Sequence, residues 1–129
     1  MNLRQIVVAA GVFACLLSAG ALAQDSNQWV DIKNPQELRA IYSNKTFHSI
    51  GGRGFRYYRA DGRGLVVWPT KRFPCTWEVK GRQVCVTDAD GTSCYELQRN
   101  KANPNKFIAR DVNTHAMVAF TVEDGVPDF

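Results

Sequence analysis

A group of arginine and tyrosine residues between positions 53 and 63 carries the most suggestive chemistry in this sequence. Arginine binds carboxylates and phosphates through paired N–H donors, and tyrosine adds a large contact area with a hydroxyl group. The predicted partner-binding residues are Ser49, Arg53, Arg56, Tyr57, Tyr58, Arg59 and Arg63. A strand with solvated arginines and core aromatics gives the same pattern, so this simpler interpretation stays open.

The charge of the chain is divided between two segments. Residues 53–72 hold six basic side chains and one acidic side chain, a net charge of +5. Residues 111–129 hold four acidic side chains and no lysine or arginine, a net charge of −4. An anionic partner would therefore be drawn to the first segment.

The other polar residues form no recognisable catalytic or metal-binding motif. His48 and His115 lack a neighbouring serine or cysteine nucleophile motif. The run 88–91 contains aspartates, but its glycine comes too early for a calcium loop. Glu78 and Glu96 would suit glycoside hydrolysis as a carboxylate pair, although solvent-facing strand positions explain them more simply. We therefore predict a non-enzymatic protein without a cofactor or a metal site.

Residues 1–23 are predicted to be a cleaved secretory signal peptide. Arg4 gives a positive start, an apolar run too short to span a membrane follows, and Ala21-Leu22-Ala23 offers a cleavage site. Lipoprotein cleavage at Cys15 is the less favoured alternative, because Phe13 is bulky where such sites prefer small residues.

Cleavage would leave residues 24–129 as a single β-rich domain with three cysteines and a net charge of +3. The domain is then periplasmic or secreted, in an oxidising compartment where a disulfide persists. Cys85 and Cys94 lie nearly opposite each other across the turn at 88–91, and Cys75 with Cys85 is the competing pair. The third thiol stays unpaired or links a second chain.

A short helix is predicted to precede the basic segment. Asn34 suits the N-cap, Pro35 suits the first helical position, and Glu37 is spaced for a capping box. Asn44 is a plausible C-cap. The apolar face of this helix consists of Leu38, Ile41 and Tyr42.

Brief strand-like runs follow the helix, with turn residues about every ten positions. The predicted strands are 46–50, 55–60, 65–68, 76–79, 83–87, 93–98, 107–111 and 115–122. Asp61-Gly62 between the second and third strands is a strong hairpin signal. The pattern predicts a mainly β fold, a small antiparallel β-barrel or curved sheet with one short N-terminal helix.

A motif in the middle of the chain resembles the T-W-x-V…C-V…C-Y core of a domain-of-unknown-function family. Its residues are Thr76-Trp77-Glu78-Val79, Gly81, Cys85-Val86, Gly91 and Cys94-Tyr95-Glu96-Leu97. Upstream similarity is carried by Glu37-Leu38, Ser43-Asn44-Lys45-Thr46 and Tyr57-Tyr58-Arg59-Ala60-Asp61-Gly62, so the resemblance covers roughly residues 35–100. The family consists of small exported proteins, chiefly of alphaproteobacteria. The resemblance implies that Cys85 and Cys94 are bonded and that Cys75 is the odd thiol, but it implies no activity.

The predicted size, architecture and compartment are also similar to those of small exported bacterial lysozyme inhibitors. Their S-G-x-x-Y signature is interrupted here by Ser49-Ile50-Gly51-Gly52-Arg53, so no residue roles are transferred. The leading hypothesis is a periplasmic inhibitor of lysozyme or another peptidoglycan hydrolase, which acts through the Arg/Tyr-rich hairpin. Arginine would there satisfy the carboxylates of the enzyme's cleft.

The alternative is a barrel that binds a small ligand or an anionic envelope polymer, with a closed apolar pocket near Trp68 and Trp77. A structural envelope protein without a ligand is a third possibility. Nucleic acid would be attracted to the basic segment, but export makes it the least expected partner. No membrane span is predicted.

Overall fold

The computed structural model describes residues 28–52 and 54–129, so Arg53 and the predicted signal peptide lie outside the described residues. The described part of the chain contains one helix, α1 (Pro35–Tyr42), and nine strands. The strands are β1 (Trp29–Ile32), β2 (Lys45–Ser49), β3 (Phe55–Tyr58), β4 (Arg63–Val67), β5 (Arg72–Lys80), β6 (Gln83–Asp88), β7 (Gly91–Asn100), β8 (Lys106–Asp111) and β9 (Met117–Asp124). No helix in this part of the chain is long and apolar enough to cross a membrane.

Strands β2 to β9 form a closed antiparallel barrel of eight strands. Each strand pairs with the next along the chain, and β9 closes the barrel by pairing with β2, from Lys45 opposite Asp124 to Ser49 opposite Phe120. The predicted fold class, a small antiparallel barrel with one short helix, is therefore confirmed.

Strand β1 was not predicted from the sequence. It pairs with the second half of β7, from Trp29 opposite Asn100 to Ile32 opposite Leu97. The first half of β7 pairs with β6, and this pairing ends where Tyr95 of β7 lies opposite Val84 of β6. β1 therefore extends the sheet along an edge that β6 leaves uncovered, and β8 pairs with the other edge of β7.

The start of α1 follows the prediction in part. The Asn34 side chain accepts hydrogen bonds from the N–H groups of Gln36 at 2.9 Å and Glu37 at 3.1 Å, and proline occupies the first turn. The predicted capping-box role of Glu37 is wrong, because its carboxylate instead accepts a hydrogen bond from Arg99 Nη1 of β7 at 2.7 Å. This contact ties the helix to the barrel wall.

The end of α1 also differs slightly from the prediction. Ser43 is the C-cap, and its N–H donates to the carbonyl of Arg39. Asn44, predicted as the cap, is the next residue and has a φ of 56°. Asparagine tolerates this left-handed conformation better than most residues, so Asn44 turns the chain into β2.

The apolar face of α1 closes one end of the barrel. Leu38, Ile41 and Tyr42 are buried in the core together with inward-facing strand residues. The Tyr42 ring lies 4.6 Å from Phe47 and 5.4 Å from Trp77, measured between ring centroids. Such aromatic contacts stabilise the closed end beyond the area that they bury.

The cysteines follow the predicted arrangement. Cys85 of β6 and Cys94 of β7 are directly paired in the sheet and form a disulfide. Cys75 is a buried free thiol on β5, opposite Gly64 of β4. A Cβ atom at Gly64 would lie 2.6 Å from the Cys75 sulfur, so this strand position requires glycine.

Candidate functional site

A cavity of about 160 Å³ lies among inward-facing side chains of the barrel strands, and Tyr42 at the end of α1 also lines it. We call it the mouth cavity. Its aromatic lining consists of Tyr42, Phe47, Tyr58, Trp68, Phe73, Tyr95 and Phe120. Its polar lining consists of Arg56, Asp88 and Ser93. Trp68 and Val118 line the cavity and are more than one-third exposed, so the cavity opens to solvent at their side.

Strand alternation directs Arg56 into the barrel. In the sheet, Arg56 lies between Phe47 of β2 and Val66 of β4, both of which are buried and line the mouth cavity. Tyr58 is two residues farther along β3 and therefore shares this inner face. Tyr57 lies between them in sequence and points to the outer face.

The Arg56 guanidinium has no ionic partner within the described residues. It makes neither an ion pair nor a side-chain hydrogen bond there. Asp88, the acidic residue that lines the same cavity, accepts a hydrogen bond from the Asp90 N–H at 2.8 Å and so closes the β6–β7 turn. Arg56 therefore brings to an aromatic cavity a positive charge that forms no direct ion pair with a described residue.

Two tyrosine hydroxyls are also available in the mouth cavity. Tyr42 and Tyr58 are each 3% exposed, and neither hydroxyl bonds to another described residue. Every described buried side-chain nitrogen or oxygen that is cut off from solvent has a partner, so these hydroxyls must reach the solvent of the cavity. Burial raises the pKa of both phenols, and the positive charge of Arg56 opposes part of this rise. The hydroxyls stay protonated at neutral pH and can donate.

These side chains suit the binding of an anion that has an apolar part. A guanidinium and neutral phenols offer hydrogen-bond donors to an anion, and the aromatic walls offer contact to an apolar group. No histidine lines the mouth cavity within the described part of the chain, so Ser93 has no imidazole base beside it. Among the same residues, no group of three or more histidine, cysteine or acidic side chains is placed to hold a metal ion.

The predicted partner-binding residues do not form one surface. Arg56 and Tyr58 line the cavity, whereas Arg59, which directly follows β3, and Arg63, the first residue of β4, do not. Arg63 donates two hydrogen bonds to Asp61, and these bonds lower the pKa of the Asp61 carboxyl. Part of the positive charge of the turn is thereby compensated.

Residues 125–129 cover another part of the predicted surface. The Phe129 ring stacks on Tyr57 at 6.0 Å between centroids. Arg59 donates to the main-chain oxygen of Phe129 at 3.1 Å, and its guanidinium lies 5.6 Å from the Phe129 ring centroid. Phe129 therefore covers part of the outer face of β3, at Tyr57 and Arg59.

The last two predicted residues are less informative. Ser49 is partly buried at the end of β2, opposite Phe120 of β9, and it does not line the mouth cavity. Arg53 lies outside the described residues. The structure therefore brings only Arg56 and Tyr58 of the predicted set together at the cavity.

The glutamates and one of the histidines considered for catalysis form polar contacts outside the mouth cavity. Glu78 pairs with Lys80 at 3.2 Å and Glu96 pairs with Arg110 at 3.2 Å, both on the barrel surface. His48 bonds to Glu123 at 2.8 Å. None of these contacts is at the mouth cavity.

A larger groove of about 360 Å³ lies outside the barrel, where β1 approaches β7. Several polar groups that line it bond to each other. Arg110 bonds to Glu96 at 3.2 Å, and the Gln98 amide donates to Asp31 at 2.8 Å. Lys33 and Arg82 also line this groove and form no ion pair with a described residue, so unpaired donors occur at both sites. The mouth cavity is the better candidate, because its walls are aromatic.

Among the lining side chains that carry a hydroxyl or a carboxylate, sequence reasoning missed Tyr42, Tyr95, Asp88 and Ser93. Tyr42 was predicted on the buried helix face, but without a role in binding. Alternation could have placed Ser93 and Tyr95 on one face of β7, although it could not show that this face meets β3 across a barrel. The cavity also differs from the predicted closed apolar pocket, because it is open and carries a charge. Trp68 lines it, whereas Trp77 packs in the core.

Comparisons of the chain with known protein families, curated proteins and solved structures find no match. The functional proposal therefore depends on the mouth cavity and on the side chains that line it.

Proposed function

We propose that this protein is a non-enzymatic binding protein that takes a small organic ligand into the mouth cavity. The observation that carries the proposal is an open, aromatic-lined cavity whose guanidinium and phenol donors have no partner among the described residues. Ligand sites typically combine such apolar walls with a few convergent polar groups. An eight-stranded barrel is just wide enough to hold one small ligand inside.

The size of the mouth cavity limits the ligand. A cavity of about 150 Å³ holds a molecule the size of benzene, and the mouth cavity measures about 160 Å³. A single-ring compound or a short acyl chain therefore fits, whereas a long lipid chain or a polymer does not. This favours a small ligand over the envelope polymer considered from the sequence.

The hypothesis of a peptidoglycan-hydrolase inhibitor stays a prediction. It requires one exposed surface of arginines and tyrosines, but Arg56 and Tyr58 face the interior. Of the described residues in that prediction, Ser49, Tyr57, Arg59 and Arg63 do not line the cavity. Arg59 and Tyr57 contact Phe129. An inhibitory surface would therefore be smaller than the sequence suggested.

The location of the protein is part of the same proposal. The Cys85–Cys94 disulfide is compatible with an oxidising compartment outside the cytoplasm. Cleavage after residue 23 and residence in the periplasm stay predictions, which amino-terminal sequencing of the exported protein would test.

The binding proposal can be tested by NMR. Amide resonances would be followed while phenol, benzoate, indole and hexanoate are added separately. We expect at least one compound to shift resonances around the mouth cavity, with those of the outer turn at 60–62 unchanged.

Two neighbouring substitutions separate binding in the cavity from binding elsewhere. Val118 lines the cavity and is 39% exposed, so Val118→Phe should fill the opening and abolish the shifts without unfolding the barrel. Met117→Phe is the matched control, because Met117 is 67% exposed and does not line the cavity. If no compound shifts the cavity resonances, or if Val118→Phe leaves the shifts intact, the proposal is wrong.

A further inference from the structure

We infer that the ligand of the mouth cavity is a small carboxylate, held by the guanidinium of Arg56 and the hydroxyls of Tyr42 and Tyr58. Its apolar body would lie between the aromatic walls. This inference rests on the proposed binding function and adds the chemical class of the ligand.

The charge of Arg56 is the first reason for a carboxylate. The guanidinium is partly buried in an aromatic cavity and makes no ion pair with any described carboxylate. Charged side chains in such surroundings are normally paired, because unpaired burial is costly. Asp88 lines the same cavity, but its carboxylate accepts a hydrogen bond from the Asp90 N–H and makes no ion pair with Arg56. A ligand anion is therefore the missing partner of Arg56.

The two phenols are the second, independent reason. Tyr42 and Tyr58 are each only 3% exposed. Their hydroxyls nevertheless have no hydrogen-bond partner among the described residues, and they reach the cavity. Their ring centroids lie 4.9 Å apart, so the two side chains are adjacent. Neutral hydroxyls beside a guanidinium supply further donors to the oxygens of one carboxylate.

The composition of the lining favours a monoanion over a phosphate. Arg56 is the one cationic side chain of the described lining and Asp88 adds a carboxylate there, so the lining has no second cation for the second charge of a phosphate. A phosphate monoester carries more than one charge near neutral pH and would also be poorly served by aromatic walls. A cavity of about 160 Å³ leaves room for a carboxylate with one ring or a short chain.

Three probes of similar shape and different charge test this inference. Benzoate, benzyl alcohol and benzylamine would be titrated against the protein by NMR at low ionic strength. We expect benzoate to bind at least about tenfold more tightly than benzyl alcohol, since a charge-assisted hydrogen bond contributes that much. Benzylamine should bind more weakly than either, because Arg56 repels its ammonium group.

Matched variants assign the preference to the cavity. Arg56→Met should reduce benzoate affinity to that of benzyl alcohol, whereas Arg72→Met changes an exposed arginine that does not line the cavity and should leave the preference intact. Tyr58→Phe should weaken benzoate about three- to tenfold. Tyr57→Phe, on the outer face, should have no effect on benzoate.

The outcomes distinguish this inference from the proposed function. If benzyl alcohol binds in the cavity as tightly as benzoate, or if Arg56→Met keeps the preference for benzoate, the carboxylate assignment is wrong and a small-ligand site still stands. If neither these probes nor the earlier compounds shift the cavity resonances, both fail.

Discussion

Replacing Arg56 by methionine is expected to stabilise the fold while it removes carboxylate binding. The guanidinium lies in the mouth cavity with no ion pair to a described residue, so the folded state bears a desolvation cost that the unfolded state does not. Methionine is similar in length, carries no charge and adapts to irregular aromatic surroundings. Arg56→Met should therefore remove that cost and retain most of the packing.

The expected gain depends on how far Arg56 is buried. A fully buried donor without a partner costs about 1–3 kcal/mol, and more if it is charged. The Arg56 side chain is only partly buried, and the open cavity lets water reach it, so the lower end of this range applies. We expect the free energy of unfolding to rise by about 1 kcal/mol, which corresponds to an increase in Tm of about 4 °C for a domain of this size.

Urea unfolding followed by tryptophan fluorescence measures this change. The midpoint should move to higher urea with an unchanged dependence of the free energy on urea concentration. The exposed control, Arg72→Met, should stay within about 0.5 kcal/mol of the parent protein. A loss of about 1 kcal/mol or more in Arg56→Met would refute the reasoning, because it would show that the guanidinium stabilises the fold.

Three further predictions address the disulfide, the free thiol and the inhibitor hypothesis. Cys85→Ala combined with Cys94→Ala should lower the free energy of unfolding by about 2–3 kcal/mol in urea, since the bond closes a short loop; an unchanged midpoint would contradict this. Burial raises the pKa of the Cys75 thiol from 9.0 to about 11. The free energy of unfolding should therefore be level below pH 9 and fall as the pH rises toward 11, because the unfolded chain loses this proton first. Cys75→Ala should remove the decline that begins near pH 9. If the outer arginines inhibit lysozyme, added protein should slow the clearing of a peptidoglycan suspension, and Arg59→Ala with Arg63→Ala should weaken this effect; unchanged clearing at excess protein would exclude inhibition of that enzyme.

Turn chemistry made most of the barrel predictable. Gly62, Gly81 and Gly91 lie between predicted strands, and their φ values of +93°, +59° and +128° are ones that glycine adopts most readily. Each turn joins two strands that are neighbours in the sheet. Local sequence therefore carried enough information to give the order of the strands in the barrel.

Strand β1 was not predictable in the same way. Its four residues show an exposure pattern in which only Ile32 is buried, so they lack the alternation that marks a half-buried strand. Its partner, β7, lies about 70 positions farther along the chain, and no turn signal connects the two. The pairing depends on an edge that exists only after the barrel has formed.

The binding site was predictable only in part, because the run from Phe55 to Tyr58 contains aromatic residues at both alternating sets of positions. Either face could therefore be the buried one, and an arginine is more often exposed than buried. The sheet register decides the matter by placing Arg56 between two buried residues, Phe47 and Val66. The charge of Arg56 suggested that it lies on the outer surface, whereas the fold places it on the inner face of the barrel.

Barrel closure by β9 has a consequence for the order of folding. The hairpins from β2 to β9 join neighbours, but the bond between Lys45 and Asp124 spans 79 positions. Contacts between distant segments form late, because a long loop must close before they stabilise anything. Until β9 docks, the exposed edges of β2 and β8 can pair with other chains, and Arg56 faces no enclosed cavity. Folding intermediates should therefore aggregate readily and lack carboxylate binding, so the site is among the last parts of the molecule to form.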